Sequence, residues 1–225
     1  MSITLKEQGD MGSSRLQDPA AEDTVLPINF LAWQRQARIS LCTRLMTDGP
    51  SSVKTMPAHL AVMSSVSEDG TVNLATKGMG LLPKPDRLEE STGLLRSAID
   101  KCQGSAWETT LHQRATTLLN FYDDLDRFDN TKLGGLEIFE GSTYRNLTRN
   151  PKATLLFTGE APIFLSYQIE GRVEFVPIGD GYHAFLSAAR ELFAHDRFHV
   201  FQTSYPLAYL FHVSKVRDKT PFTRG

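Results

Sequence analysis

Residues 59–78 read HLAVMSSVSEDGTVNLATKG, and this stretch predicts an antiparallel β-hairpin. Apolar residues crowd its first half, an acidic turn ending in glycine follows at residues 68–70, and apolar and polar side chains alternate in the second half. A short turn that ends in glycine between two such runs is typical of a hairpin. The density of apolar residues in the first strand predicts that both of its faces are covered by other parts of the chain.

Further strands are predicted in the second half of the chain. They are expected at residues 134–141, 152–158, 163–176 in two pieces around Gly171, and 207–216. Six or more strands with short connections favour an antiparallel barrel. The predicted fold is therefore mainly β with added helices, in the α+β class.

Helical periodicity appears in three separate regions. Residues 27–46 and 179–196 each fit one helix, and residues 87–128 fit two helices separated by KCQGS at 101–105. The helical pair interrupts a chain that is otherwise rich in strands. We therefore interpret residues 82–132 as a helical insertion.

The predicted domain organisation is simple. The polar residues 1–26 lack the apolar stretch of a secretory signal and are expected to form a disordered or extended tail. Residues 27–225 are expected to form a single domain, in which residues 27–56 supply an N-terminal helix and a linker.

The composition narrows the possible functions. The chain has 225 residues, 40% of them hydrophobic, and a formal net charge of −2, which does not favour nucleic acid as a partner. It contains no run of about 18 apolar residues, so no membrane partner is expected. Cys42 and Cys102 are the only cysteines, and we interpret them as reduced thiols in a cytoplasmic protein.

The segment GSTYRNLTRNPKATLLF, at residues 141–157, predicts a short helix in front of a buried strand. The helix would begin near Ser142 and end before Pro151, because the residue preceding a proline disfavours helical geometry. Hydroxyl groups and unpaired amides at a helix start suit a phosphate, and Arg145 stands nearby without an acidic residue in the segment. The alternative is an ordinary helix cap with solvated arginines.

A second candidate anion ligand lies at the end of the predicted hairpin. Thr76 and Lys77 close its second strand, and Gly78 and Gly80 follow. Glycine permits close approach of a ligand to the backbone, and Lys77 offers a cation. The alternative is a strand end with an ordinary surface lysine.

These pieces, taken in order, resemble one known family. MPAHLAVMSSVSEDGTVNLATKG, then LEIFEGSTYRNLTRNPKATLLF, then SYQIEGRV are similar to the FMN-binding split-barrel family typified by pyridoxamine 5'-phosphate oxidase. The resemblance covers residues 57–80 and 134–176, and its most specific element is the step NLTRNP at residues 146–151.

The resemblance implies a six-stranded antiparallel split barrel that forms a homodimer and binds FMN where the subunits meet. It implies that the cofactor phosphate is contacted by Thr76, Lys77, Ser142 and Thr143, with Arg145 as a further candidate. Many members carry a lysine or arginine three residues before the Asn-Leu pair, and Thr143 occupies that position here. Arg145 or Lys77 would then supply the missing cation, unless the FMN site has been lost or modified.

Some relatives of this kind bind haem in place of flavin, and three histidines are candidates for such a role. His195 and His199 are spaced so that a helix would place both on one face, and His212 lies in the last predicted strand. Ordinary structural histidines are the alternative. We predict no metal site apart from this haem alternative.

The sequence therefore predicts an FMN-dependent oxidoreductase acting on a small molecule bound over the flavin face, with NAD(P)H as a candidate electron donor. No catalytic side chain is predicted, because the flavin itself carries the redox chemistry. The alternatives are a haem-binding split-barrel protein, or a module that binds flavin without turnover.

Overall fold

The computed structural model describes residues 24–50, 58–159, 164–194, 202 and 204–221. Most of the predicted N-terminal tail therefore lies outside the described residues, and so do His195 and His199.

Five helices and seven strands occupy the described part of the chain. The helices are α1 (Ile28–Asp48), α2 (Leu88–Cys102), α3 (Trp107–Asp123), α4 (Ser142–Arg149) and α5 (Gly181–Leu192). The strands are β1 (Leu60–Val66), β2 (Val72–Gly78), β3 (Gly80–Pro83), β4 (Phe128–Leu136), β5 (Lys152–Thr158), β6 (Ser166–Pro177) and β7 (Leu207–Asp218). None of the described helices combines the length and apolarity that a membrane span requires.

All seven strands form one antiparallel sheet in the order β2-β1-β5-β6-β7-β4-β3. The two edge strands, β2 and β3, are joined through Met79 alone. A single connecting residue spans only about 7 Å, so the sheet must curl until its edges approach one another. The result is an incompletely closed antiparallel barrel, and the predicted split barrel with added helices is confirmed. The sheet has seven strands rather than six, because residues 80–83 pair with β4 as a strand of their own.

The interior of the barrel is filled by alternate residues of the strands. Met63, Leu155, Phe157, Ile169 and Phe211 are each at most 1% exposed. Helix α1 seals the core with an aromatic cluster, in which the Phe30 ring lies 5.2 Å from the rings of both Phe157 and Tyr167. Burial of large side chains of this kind stabilises the fold by roughly 2–3 kcal/mol each.

The predicted helical insertion is confirmed, but it is shorter than residues 82–132, because residues 82–83 belong to β3 and residues 128–132 belong to β4. Helices α2 and α3 leave the sheet after β3 and return at β4, which is the strand that pairs with β3. Helix α2 packs on α5, and α3 packs on α1. The insertion therefore packs on α1 and α5 without separating the two strands that flank it.

Three local predictions were wrong. Strand β4 spans Phe128–Leu136 rather than residues 134–141, and the chain beyond it bends at Phe139 and at Glu140, which has a positive φ of 43°. Strand β6 is one continuous strand with a register shift at Glu170–Gly171, rather than two pieces. The outer face of β1 is partly open, with Val62 38% and Val66 39% exposed, so only one face of this strand is covered within the chain.

Candidate functional site

The candidate site surrounds residues 137–141, which we call the β4–α4 loop. The loop leaves β4 at Glu137, whose amide donates to the carbonyl oxygen of Leu207 at 3.0 Å. It reaches α4 at Gly141, the residue that precedes the first helical turn. Along this path the loop contacts Lys77 of strand β2, so it joins the two regions that the sequence singled out.

Lys77 forms a buried ion pair with Glu137. Its Nζ lies 2.7 Å and 2.9 Å from the two carboxylate oxygens, and the side chains are 15% and 1% exposed, respectively. The same carboxylate accepts the backbone N–H groups of Phe139 and Glu140, each at 3.2 Å. Charge-assisted hydrogen bonds of this kind are among the stronger ones in proteins. The carboxylate therefore has a full set of donors although it is removed from water.

Tyr209 closes the barrel beside this pair. Its hydroxyl donates to the carbonyl oxygen of Gly78 at 2.7 Å, and Lys77 Nζ lies 5.9 Å from the centre of its ring. Burial raises the pKa of Tyr209 above its usual value, and the nearby Glu137 carboxylate raises it further. The phenol therefore stays protonated and acts as a fixed hydrogen-bond donor across the seam between β2 and β7.

Helix α4 is fastened to the β1–β2 hairpin by buried polar side chains. Asn73 Nδ2 donates to Thr143 Oγ1 at 2.9 Å and to Ser65 Oγ at 3.2 Å. Asn146 Nδ2 also donates to Ser65 Oγ, at 3.2 Å, and Ser65 has no exposed surface. Leu147 is buried beside them at 3% exposure. The Asn-Leu pair of the sequence motif is therefore the part of α4 that fixes the helix to the sheet.

The first turn of α4 is exposed at Ser142 and Arg145. No side chain caps the helix, because the preceding residue is Gly141. Arg145 donates to Ser142 Oγ at 3.1 Å. Early amides, a hydroxyl and a guanidinium thus meet at one accessible position, which is chemistry that fits a phosphate group.

The predicted site residues fall into three places. Ser142, Thr143 and Arg145 lie together at the start of α4. Lys77 lies on the same face of β2 as Asn73, and about 13 Å of strand separates these two residues. Thr76 points to the opposite, outer face of β2, where it is exposed and pairs with Val62. Contact of these residues with a cofactor stays a prediction.

Arg149 of the same helix and the haem candidate His212 both have protein partners. Arg149, in the last turn of α4, pairs with Glu68 of the hairpin turn at 2.8 Å. His212 Nε2 lies 2.8 Å from Glu174 Oε2, at side-chain exposures of 43% and 57%. Among the described residues, no group of three or more His, Cys, Asp or Glu side chains is placed to hold a metal ion.

Sequence reasoning missed Glu137, Ser65 and Asn73. The sequence pattern predicts Glu137 within a strand, and no local pattern shows that this carboxylate is buried against Lys77. Asn73 and Ser65 did carry a signal, since both are polar residues on the face of the hairpin that holds Met63 and Ala75. Polar residues on a core-facing side indicate a buried network, which is what the structure contains.

No protein-family model matches the sequence, and no curated protein matches it significantly. Solved structures that resemble the chain include HupZ from Group A Streptococcus, which shares 16% identity over 74% of this chain and 90% of that one, with a TM-score of 0.42. An FMN-binding protein from Syntrophomonas wolfei shares 8% identity over 87% and 95% of the two chains, with a TM-score of 0.42. An F420 reductase shares 14% identity over 71% and 89%, with a TM-score of 0.38.

Two further similar structures, from Lactobacillus delbrueckii and Listeria innocua, carry pyridoxamine 5'-phosphate oxidase as a provisional name. At TM-scores near 0.4 these likenesses add nothing to the fold that the strand order already defines, and they assign no function.

Proposed function

We propose that the protein is an FMN-dependent oxidoreductase that acts on a small molecule at the interface of a homodimer. The observation that supports the proposal best is the exposed first turn of α4. In this split barrel, that turn lies beside the hairpin that carries Lys77. The sequence resemblance supplies the identity of the cofactor.

The phosphate of FMN would bind at the start of α4. Ser142 and Thr143 would offer their backbone amides, and Arg145 would donate its guanidinium hydrogens. The hydroxyl of Thr143 already accepts a hydrogen bond from Asn73, so its remaining role is to hold the helix in place. Lys77 is engaged by Glu137, and it would reach the phosphate only if that pair opened.

When bound, FMN supplies hydride and electron transfer through its ring system, while the protein binds and orients it. Phe139 lies in the β4–α4 loop, close to the helix start, and its side chain is 65% exposed. An exposed aromatic ring held by a turn is a suitable surface for stacking on a planar cofactor or substrate. NAD(P)H is the electron donor that we propose.

The proposed dimer would use the outer face of the hairpin. Five apolar side chains are exposed there on neighbouring strands: Val62, Val66, Val72, Leu74 and Leu156. Leu74 is 65% exposed and Val72 is 61% exposed. A contiguous apolar patch of this kind marks an interaction surface in soluble proteins. Thr76 lies on the same face, so a partner subunit would bring it close to the interface rather than to Lys77 of its own chain.

Titration with FMN and with riboflavin, followed by flavin fluorescence, tests the cofactor proposal. FMN should bind at least about tenfold more tightly than riboflavin, because charged hydrogen bonds to the phosphate contribute about 1.5–3 kcal/mol. The Arg145→Ala variant should lose much of this difference. Arg149→Ala is the matched control, since it removes a guanidinium from the same helix that is already paired with Glu68.

Equal affinity of the wild type for the two flavins, or no binding of either, would contradict the proposal. Oxidation of NADPH or NADH by the flavin-loaded protein then separates an enzyme from a non-catalytic flavin-binding module. The haem alternative predicts a haem absorption spectrum in the purified protein. Among its candidates, His212 is the one within the described residues, and its ring is engaged by Glu174.

A further inference from the structure

Lys77 belongs to a group of hydrogen-bond donors that suits an anion. A carboxylate of the same chain already occupies this anion site. The ammonium group of Lys77 and the amides of Phe139 and Glu140 converge on one point, and that point is occupied by the Glu137 carboxylate. We call the three donors the Lys77 cradle. A lysine with two backbone amides is the donor set that proteins commonly offer to phosphate.

We propose that Glu137 is a specificity-determining residue that keeps phosphate groups out of the Lys77 cradle. The proposal rests on the proposed function in one respect, which is that the phosphate belongs to the flavin cofactor. The carboxylate makes the cradle neutral in the resting protein, so a phosphate meets no net positive charge there. The start of α4 is then the position at which this protein binds the phosphate.

Burial explains why the exclusion is effective. Glu137 is 1% exposed at its side chain, and Lys77 is 15% exposed. Solvent screens repulsion between a phosphate and a carboxylate poorly at such a position. A phosphate entering the cradle would therefore have to displace the carboxylate from all three of its donors, and the displaced charge would remain buried.

The Glu137→Gln variant tests the proposal with inorganic phosphate as the probe. The amide is nearly isosteric with the carboxylate but leaves the Lys77 ammonium without a counter-charge, so an external anion gains a partner. Phosphate should raise the melting temperature of Glu137→Gln at concentrations at least about tenfold lower than those that affect the wild type. Adding Lys77→Met to this variant should abolish the gain, which assigns it to the cradle rather than to α4.

Glu140→Gln is the matched control, because it removes an exposed carboxylate from the same loop. This variant should respond to phosphate as the wild type does. If Glu137→Gln does not fold alone, phosphate should restore its circular dichroism spectrum, whereas sodium chloride at the same ionic strength should not.

The proposal is overturned if Glu137→Gln and the wild type respond equally to phosphate, or if phosphate fails to refold an unfolded Glu137→Gln protein. A parallel titration with FMN and riboflavin distinguishes this failure from failure of the proposed function. If neither flavin binds to any variant, the cofactor assignment falls, while the response to inorganic phosphate still decides the role of Glu137.

Discussion

Replacing Lys77 with methionine should destabilise the fold far more than loss of an ordinary surface lysine. Methionine retains most of the apolar stem but removes the ammonium group. Glu137 would keep its two backbone donors and lose its only cationic partner among the described residues. A carboxyl group that is 1% exposed would then lack a counter-ion.

The expected loss follows from the burial of the pair. Breaking a buried ion pair by removing one partner costs about 3–5 kcal/mol. The side chain of Lys77 is 15% exposed, so some solvent can reach the position that the ammonium group vacates. We therefore expect the free energy of unfolding to fall by about 3 kcal/mol, near the lower end of this range. Arg149→Met is the comparison, because Arg149 and Glu68 are 66% and 81% exposed, and such a pair contributes less than about 1 kcal/mol.

Urea unfolding measures both losses through the free energy of unfolding extrapolated to water. The double variant Lys77→Met/Glu137→Gln completes a thermodynamic cycle with the two single variants, and it should be more stable than Lys77→Met alone, because the unpaired charge is gone while an acceptor for the Phe139 and Glu140 amides is kept. A loss in Lys77→Met no larger than in Arg149→Met would contradict a stabilising buried ion pair, and so would a double variant that is the least stable of the set.

Three further predictions concern the barrel seam, the α4 attachment and the proposed dimer. Gly135→Ala should destabilise the fold by about 3 kcal/mol in urea unfolding, because a Cβ atom there would collide with the carbonyl oxygen of Gly78. An unchanged urea midpoint would contradict this close approach. Asn146→Ala removes a buried hydrogen-bond donor to Ser65. In fluorescence titrations it should lower the affinity for FMN more than the affinity for riboflavin. An equal loss for both flavins would indicate a purely structural role. Leu74→Arg places a charge on the exposed apolar face of the hairpin. It should convert the proposed dimer to a monomer in analytical ultracentrifugation and leave the circular dichroism spectrum unchanged. A persisting dimer would place the interface elsewhere.

Local sequence patterns predicted the elements that depend on neighbouring residues alone. The hairpin formed as expected because its turn is specified locally: Asp69 accepts hydrogen bonds from Ser67 Oγ and the Thr71 amide. Helix α4 likewise starts at Ser142 and ends before Pro151, as the proline requires. Strand periodicity also implies that the side chains of Thr76 and Lys77 face opposite sides of β2, so one chain does not present both side chains to a single phosphate.

Features that join distant parts of the chain were not predictable in this way. Strand β4 begins at Phe128 because Phe128 pairs with Pro83 of β3 and Lys132 pairs with His212 of β7. The polar residues between them give no strand pattern of their own. The ends of β4 therefore depend on the strands beside it. The same holds for Glu137, since its burial requires both the curled sheet and the approach of Lys77.

The hairpin, β5, β7, the helical insertion and the short helix that precedes β5 could be predicted from the sequence, because turns, prolines and periodicity act over a few residues. Only the tertiary structure decided that the two predicted anion-binding regions differ. At the start of α4 the hydrogen-bond donors face solvent, whereas at Lys77 they enclose the Glu137 carboxylate. The curled sheet brings Lys77 and Glu137 together although sixty positions separate them in the sequence. Electrostatic pairing in a folded chain depends on distance in space, which no local pattern specifies.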